Sequence, residues 1–274
     1  MNKREFLRDL ALSIPAVGML QALARDAIAA AAEGPAADAA AAAPAAPAAP
    51  AAEAATEAAA YDPSQHWWGM GVDIHRCIGC NKCVEACKAE NNVPQEPFYF
   101  RTWIERYSIK ADGDVQVQCL STQPPRGEDT PNVDPNVLRT FFVPKLCNQC
   151  AHPPCVQVCP VGATFQTEDG VVLVDSTYCI GCRYCIQACP YGARFLNPDT
   201  HTADKCTFCY HRITKGLQPA CVEVCPTQAR IFGDFKSEES RLARFERMNE
   251  VSVLKPDMNT QPKVRYAHLD GEVR

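Results

Sequence analysis

Cys77-Ile78-Gly79-Cys80-Asn81-Lys82-Cys83-Val84-Glu85-Ala86-Cys87 decides how this chain is read. Its four cysteines are spaced Cys-x2-Cys-x2-Cys-x3-Cys, and the spacing returns unchanged at Cys179, Cys182, Cys185 and Cys189. Two more groups keep the outer gaps and stretch the middle one, to four residues in Cys147, Cys150, Cys155 and Cys159 and to eleven in Cys206, Cys209, Cys221 and Cys225. Pro160, Pro190 and Pro226 follow the last cysteine of three groups. The segments after them, Val161-Gly162-Ala163, Tyr191-Gly192-Ala193 and Thr227-Gln228-Ala229, repeat one another. The body of the chain is therefore an internal repeat, in which Lys88 is the one departure from proline.

Three thiolates two residues apart reach three corners of one iron-sulfur cubane, because a tight loop turns successive sulfurs inward. The fourth, after three more residues, sits at a short helix, points away and is placed to ligate a neighbouring cluster, as in two-cluster ferredoxins. Sixteen such thiolates make four [4Fe-4S] clusters. Zinc competes poorly, since zinc sites use separated pairs of ligands and have no need of a third cysteine two residues after a pair. A disulfide scaffold competes poorly too, because the packed triplets are bad geometry for independent bridges and the total of 17 cysteines is odd. The seventeenth, Cys119 in Val115-Gln116-Val117-Gln118-Cys119, has no cysteine neighbour at ligand spacing and reads as a small buried hydrophobe. His152 and His211 lie inside groups that already hold four thiolates, so both are expected outside the ligand sets.

Composition bounds the rest. The chain has 274 residues, but from 29 to 60 it is 22 alanines in 32 positions, so its 47% hydrophobic content is inflated by low complexity and this stretch reads as a tether. A net charge of −5 argues against nucleic acid or anionic lipid as the main partner. No run approaches the roughly 18 apolar residues of a membrane span. At the N-terminus, a charged start to Arg8, an apolar stretch from Leu10 to Ala24 and small residues at Ala27-Ile28-Ala29 have the three-part layout of an export signal. Asn2-Lys3-Arg4-Glu5-Phe6-Leu7-Arg8 resembles the twin-arginine signal, with Lys3 where the first arginine belongs; a Sec signal or a retained amphipathic helix are the alternatives. The expected organisation is a signal peptide at 1–29, a linker at 30–60, a four-cluster domain at 61–240 and a C-terminal extension at 241–274.

The coarse structure is α+β. Gly71 to Ile74, Arg139 to Pro144 and Val171 to Val174 are short apolar runs that lead to or flank cluster loops. Hairpins are expected at Thr164 to Val174 around Asp169-Gly170, and at Tyr107 to Gln118 around Asp112-Gly113. Short helices are expected after the third cysteine of each group, at 84–89, 156–159, 186–189 and 222–225, with a surface loop at 121–136. Elements this short bury little, so the clusters themselves hold the fold together.

Cys147-Asn148-Gln149-Cys150-Ala151-His152-Pro153-Pro154-Cys155, Cys206-Thr207-Phe208-Cys209 and the long gap through Lys215-Gly216-Leu217 to Pro219-Ala220-Cys221 give the chain a specific likeness. From about Trp68 to Phe235, and more weakly to Arg265, it resembles the electron-transfer (beta) subunits of molybdopterin oxidoreductases of the dimethyl sulfoxide, polysulfide, thiosulfate and tetrathionate reductase type. The iron-sulfur subunits that accompany multihaem nitrite reductases are related. The resemblance implies two interleaved ferredoxin-like dicluster halves. It further implies the ligand sets Cys77, Cys80, Cys83 with Cys225; Cys206, Cys209, Cys221 with Cys87; Cys147, Cys150, Cys155 with Cys189; and Cys179, Cys182, Cys185 with Cys159. Some relatives carry Trp where Cys182 stands and hold a three-iron cluster, so none is expected here.

The function implied is relay of single electrons between a quinone-interacting integral membrane subunit and a catalytic subunit, molybdopterin or multihaem. The location implied is periplasmic, with membrane association through the partner. No convergent acid/base or nucleophile set is visible, so the chain reads as a non-catalytic subunit of an oxidoreductase. Two alternatives stand beside this reading: a quinone-linked membrane redox complex without a molybdopterin partner, and a free ferredoxin-like carrier.

Overall fold

The structure, a computed structural model, describes residues 61–96, 98–122 and 135–273. The signal expected at 1–29, the tether at 30–60 and most of the loop at 121–136 lie outside the described residues. The architecture is α+β, with short elements strung between the cysteine groups.

Strand β1 (Trp68–Asp73) leads into the first group. It is paired on one side, antiparallel, with β9 (Arg230–Asp234), which leaves the fourth group, and the register runs from Trp68 opposite Asp234 to Val72 opposite Arg230. This pairing brings the entry to Cys77 and the exit from Cys225 to the same end of one sheet, so the first and last groups become spatial neighbours. On its other side β1 pairs in parallel with β11 (Val264–Ala267), and β10 (Val251–Ser252) closes the order β10-β11-β1-β9. Met70, Val72, Val264 and Tyr266 are fully buried there.

One face of this sheet is covered by a helix of residues Arg241–Met248, which Ser240 caps by accepting the N–H of Ala243 at 3.1 Å. Its Leu242 and Phe245, one turn apart, meet the sheet where side chains are missing. A Cβ on Gly71 would lie 2.6 Å from the Phe245 ring, and one on Gly233 2.7 Å from Leu242 Cβ. The stretch 241–274, set apart in the sequence as an extension, thus supplies a central strand and a covering helix to the sheet that carries the first group.

A second sheet, ordered β3-β2-β4, is built from β2 (Thr102–Lys110), β3 (Val115–Cys119) and β4 (Val137–Leu146), all antiparallel. Its first turn falls at Asp112-Gly113 as expected, where Asp112 accepts the N–H of Asp114 at 3.0 Å. Trp103, Ile104, Tyr107, Val143 and Leu146 bury its inner end in the main core, and Tyr266 donates from the first sheet to the Pro144 carbonyl at 3.1 Å. Cys119 packs against this core half-buried, on an edge strand, so it is less enclosed than the sequence suggests. Two hairpins complete the fold: β5 (Thr164–Gln166) with β6 (Val172–Val174), as expected, and β7 (Arg194–Leu196) with β8 (Ala203–Lys205).

The helices within the groups are α1 (Lys82–Glu90), α2 (Pro154–Gln157), α3 (Tyr184–Gln187), α4 (Tyr210–Ile213) and α5 (Ala220–Glu223). Four of them start earlier than the sequence suggests, so the third cysteine sits inside the first turn. The cause is local. Asn81 and Arg183 hold left-handed conformations that turn the backbone directly into α1 and α3, while Pro154 occupies the first turn of α2 and Pro219 stands at the cap of α5. Among the described residues no helix is long and apolar enough to cross a membrane.

Candidate metal centres

The four cysteine loops share a backbone conformation as well as a spacing. The residue just before the second cysteine has positive φ in every group: Gly79 at 70°, Gln149 at 46°, Gly181 at 68° and Phe208 at 53°. The third residue after the fourth cysteine does the same where proline follows that cysteine: Gly162 at 65°, Gly192 at 61° and Gln228 at 52°. Left-handed backbone is costly for residues with a Cβ and persists where the surroundings require it, typically at functional sites. Gln149 shows what holds it: its amide donates to the Cys206 carbonyl and accepts the Val172 N–H, both at 2.7 Å. In the first group Lys88 keeps its N–H, and α1 continues to Glu90. The Lys88 ammonium then satisfies the carbonyls of Pro94, Gln95 and Glu96 at 2.9, 3.2 and 3.0 Å.

These loops gather sulfurs from distant parts of the chain. Cys87, Cys206, Cys209 and Cys221 line one cavity together with Asn91, Arg101 and Phe208. Burial pushes the Cys87 thiol well up, and the neighbouring Cys206, Cys221 and Cys209 push it further. Cys77 is raised to about 11, first by burial and then by Cys83 and Cys225. Cys150 is raised to about 12 by burial, with Cys147, Cys155 and Cys189 adding to it. Cys155 and Cys185 share a small buried cluster with Val172 and Ala203, against which Cys179 packs, and α2 lies on α3 there. Cys159 is held below the ordinary thiol value: burial opposes this, but the N–H groups of Thr164, Val161 and Ala163 outweigh it. Cys80 and Cys182 stand exposed on the outer turns of the first and third loops. His211 lies 2.7 Å from the Glu90 carboxylate on the surface.

The donor set suits an anionic cluster. Sulfurs accept N–H bonds from Phe208 to Cys206 at 3.4 Å, Thr164 to Cys159 at 3.5 Å and Ala203 to Cys179 at 3.4 Å. Asn91 Nδ2 stands 3.7 Å from both Cys87 and Cys209, and the Arg194 guanidinium donates to Cys155 at 3.0 Å. Arg230 is buried with Nη1 lacking any protein partner, next to Cys83, Cys221 and Cys77. Thiols crowded and raised in this way ionise readily only when a metal centre compensates them, and such centres are tuned by hydrogen bonds to sulfur. Among the described residues, no three His, Cys, Asp or Glu side chains converge on the point that a single ion would occupy. Sequence reading finds the cysteines and misses Arg194, Lys205, Arg230 and Asn91. The signal for the two arginines is nonetheless present, since each stands five residues after a fourth cysteine, in the Ala193-Arg194 and Ala229-Arg230 steps of the repeat.

A model of the 4Fe-4S dicluster domain matches residues 76–163, and a second of the same description matches 138–235. Together they take in all four cysteine groups, and the molecule is a 4Fe-4S protein. It is 44% identical over 208 residues to the B subunit of tetrathionate reductase from Salmonella typhimurium, covering 75% of this sequence and 74% of that one. It is 34% identical over 247 residues to the Hdr-like menaquinol oxidoreductase iron-sulfur subunit 1 of Archaeoglobus fulgidus, covering 75% and 84%. It is 35% identical over 198 residues to the B polypeptide of polysulfide reductase from Wolinella succinogenes, covering 72% and 92%. This protein belongs to the family of iron-sulfur electron-transfer subunits of the tetrathionate, polysulfide, thiosulfate and dimethyl sulfoxide reductase type.

Proposed function

We propose that this protein holds four [4Fe-4S] clusters and relays single electrons between a quinone-interacting membrane subunit and a catalytic subunit, a molybdopterin protein by its family. The observation that carries this reading is the cavity that joins Cys87 of the first group to Cys206, Cys209 and Cys221 of the fourth. Crossed ligation in a two-cluster unit calls for this meeting of sulfurs, and the nearness of Cys189 to Cys147 and Cys150 supports a second such unit. The ligand sets proposed are Cys77, Cys80, Cys83 and Cys225; Cys206, Cys209, Cys221 and Cys87; Cys147, Cys150, Cys155 and Cys189; and Cys179, Cys182, Cys185 and Cys159. The bound clusters supply reversible one-electron storage. The protein's own residues do the rest. Phe208, Ile213 and Val222 keep water from the buried sets, and N–H donors from Phe208, Ala203 and Thr164 hold the sulfurs in place. Cys80 and Cys182 leave the first and third loops open to the surface, where partners can approach.

This reading predicts about sixteen iron atoms and as many labile sulfides per chain in anaerobically purified protein, the content of four cubanes. Zinc as the main metal with little iron would overturn it. A second reading, a quinone-linked complex without a molybdopterin partner, draws support from the likeness to the menaquinol oxidoreductase subunit. The two part on the catalytic subunit that co-purifies from solubilised membranes.

The site of action proposed is extracytoplasmic, after export of the folded, cluster-bearing protein by the twin-arginine route. A polypeptide threaded unfolded would deliver 17 bare thiols to an oxidising compartment. Replacing Lys3 and Arg4 together by Gln is expected to strand cluster-bearing protein in the cytoplasm, with Lys3→Arg exported as well as or better than wild type. Normal export of the double variant would place the relay's address elsewhere.

A further inference from the structure

Three cations lie buried among the cysteines, each between two ligand sets. Arg230 faces Cys77 and Cys83 of one set and Cys221 of the next. Lys205 faces Cys206 of that second set and Cys147 and Cys155 of a third. Arg194 donates to Cys155 of the third set at 3.0 Å and faces Cys185 of the fourth. Their exposures are 2%, 1% and 5%. These proximities link the sets in the order of groups one, four, two and three, by the triplet each set contains.

A buried charge without a counter-charge is costly, so its retention calls for a reason. Other cations near the sulfurs have carboxylates at hand. Arg101, beside Cys87, is 2.8 Å from Asp204, and Lys263, beside Cys147 and Cys150, has Asp169 next to it. Arg194, Lys205 and Arg230 form no ion pair with any carboxylate among the described residues. Neutral groups fix them in place: Thr164 Oγ1 for Arg194 at 3.4 Å, Thr102 Oγ1 for Arg230 at 2.7 Å, and the carbonyls of Val172 and Cys206 for Lys205. With neutral acceptors holding them and no carboxylate of the described residues beside them, the sulfurs are the negative groups left to answer their charge. The two arginines also occupy the same slot of the repeat, the first residue of the strand that leaves a group: Arg194 opens β7 and Arg230 opens β9. The corresponding first residue of β5 is Thr164, which is the acceptor for Arg194.

We propose that Arg230, Lys205 and Arg194 are positioning cations of the electron relay, one at each junction between successive centres, where each raises the reduction potentials of the two centres it separates. The inference rests on the occupancy and crossed ligation proposed above. Each step moves one electron from one centre to the next; the donor is oxidised and the acceptor reduced, no bond is made or broken, and no proton is needed. Reduction adds a negative charge to an already anionic site, and a fixed guanidinium beside it favours the reduced form. Because each cation lies near sulfurs of both neighbouring sets, it shifts the two potentials in the same direction and leaves the difference between them little changed.

The test is a redox titration of the anaerobically isolated full chain followed by electron paramagnetic resonance, with iron content measured alongside. In Arg194→Gln, the two centres bound by the second and third groups should become harder to reduce by about tenfold or more in equilibrium constant, which is about 59 mV for a one-electron centre. The other two should hold still. Arg230→Gln should reverse that pattern, and Arg194→Lys should restore most of the shift. Unmoved midpoints at full iron content, an equal shift of all four centres, or failure of Lys to restore would overturn the proposal. Should Arg194→Gln lose its iron, Lys205→Met decides at the middle junction: a paired shift of the two inner centres supports the proposal, and no shift or loss of iron there overturns it. Fewer than four centres in the wild type would overturn the underlying reading and this inference with it, whereas four intact centres with unmoved midpoints would overturn this inference alone.

Discussion

Between Cys179 and Cys182 the backbone must turn left-handed within two residues, and Gly181 does so at a φ of 68°. A Cβ there would stand 2.5 Å from the His201 carbonyl, so an alanine carries both conformational strain and a clash with backbone. Gly181→Ala is expected to cost at least about 1 to 2 kcal/mol from the left-handed conformation alone. It should also lower iron content, because the strained loop is the one that aims Cys179 and Cys182. Gly113 is the control. Its φ is 85° and its Cβ would meet nothing within 4 Å, so Gly113→Ala should weaken the hairpin and leave iron unchanged. Comparing iron per chain and thermal unfolding of the two variants checks this, and equal iron loss in both would contradict it. At this scale the sequence is legible wherever spacing encodes chemistry, as it does for the sixteen grouped cysteines. It is much less so for Arg194 and Arg230, because an arginine after alanine looks like any surface residue until the burial of its guanidinium is known.

One-turn helices cannot stand alone, since nucleation outweighs what a single turn returns. Here α2, α3 and α5 are each four residues long and exist because a proline or a left-handed residue sets their start and a cysteine anchors their first turn. Helix α1 is the exception in length, and Lys88 is the reason. Its ammonium, largely buried, is the donor for three successive carbonyls at Pro94, Gln95 and Glu96. Lys88→Met should keep the helix and leave those carbonyls without their donor, at a cost of about 1 to 3 kcal/mol where they are shielded from water. Denaturant unfolding of the cluster-loaded protein measures it, and a loss below about 0.5 kcal/mol would mean that water replaces the ammonium. Hairpins announced by Asp-Gly are legible at this scale. The β7 and β8 hairpin is harder to see, because its connection through Asn197-Pro198-Asp199-Thr200 lacks the two-residue turn signal. The helix at Arg241–Met248 is equally quiet, having only Leu242 and Phe245 buried in eight residues.

Across the whole molecule, the consequence of the repeat is interleaving. Strands β1 and β9 lie far apart in sequence, yet Val72 with Arg230 and Trp68 with Asp234 pair side by side and close the first group onto the fourth. Strand β11 then locks β1 from the other edge, so the body that carries the cysteine groups extends past residue 240. Sequence alone does not reveal this, because four residues of Val-Arg-Tyr-Ala carry too little pattern to mark a central strand. We propose above that this interleaved body holds four one-electron centres. Coulometric reduction of the anaerobically purified full chain counts those centres. About four electrons taken up per chain are expected, with magnetic interaction between neighbouring reduced centres. Uptake of about two electrons or fewer at full metal content would contradict it.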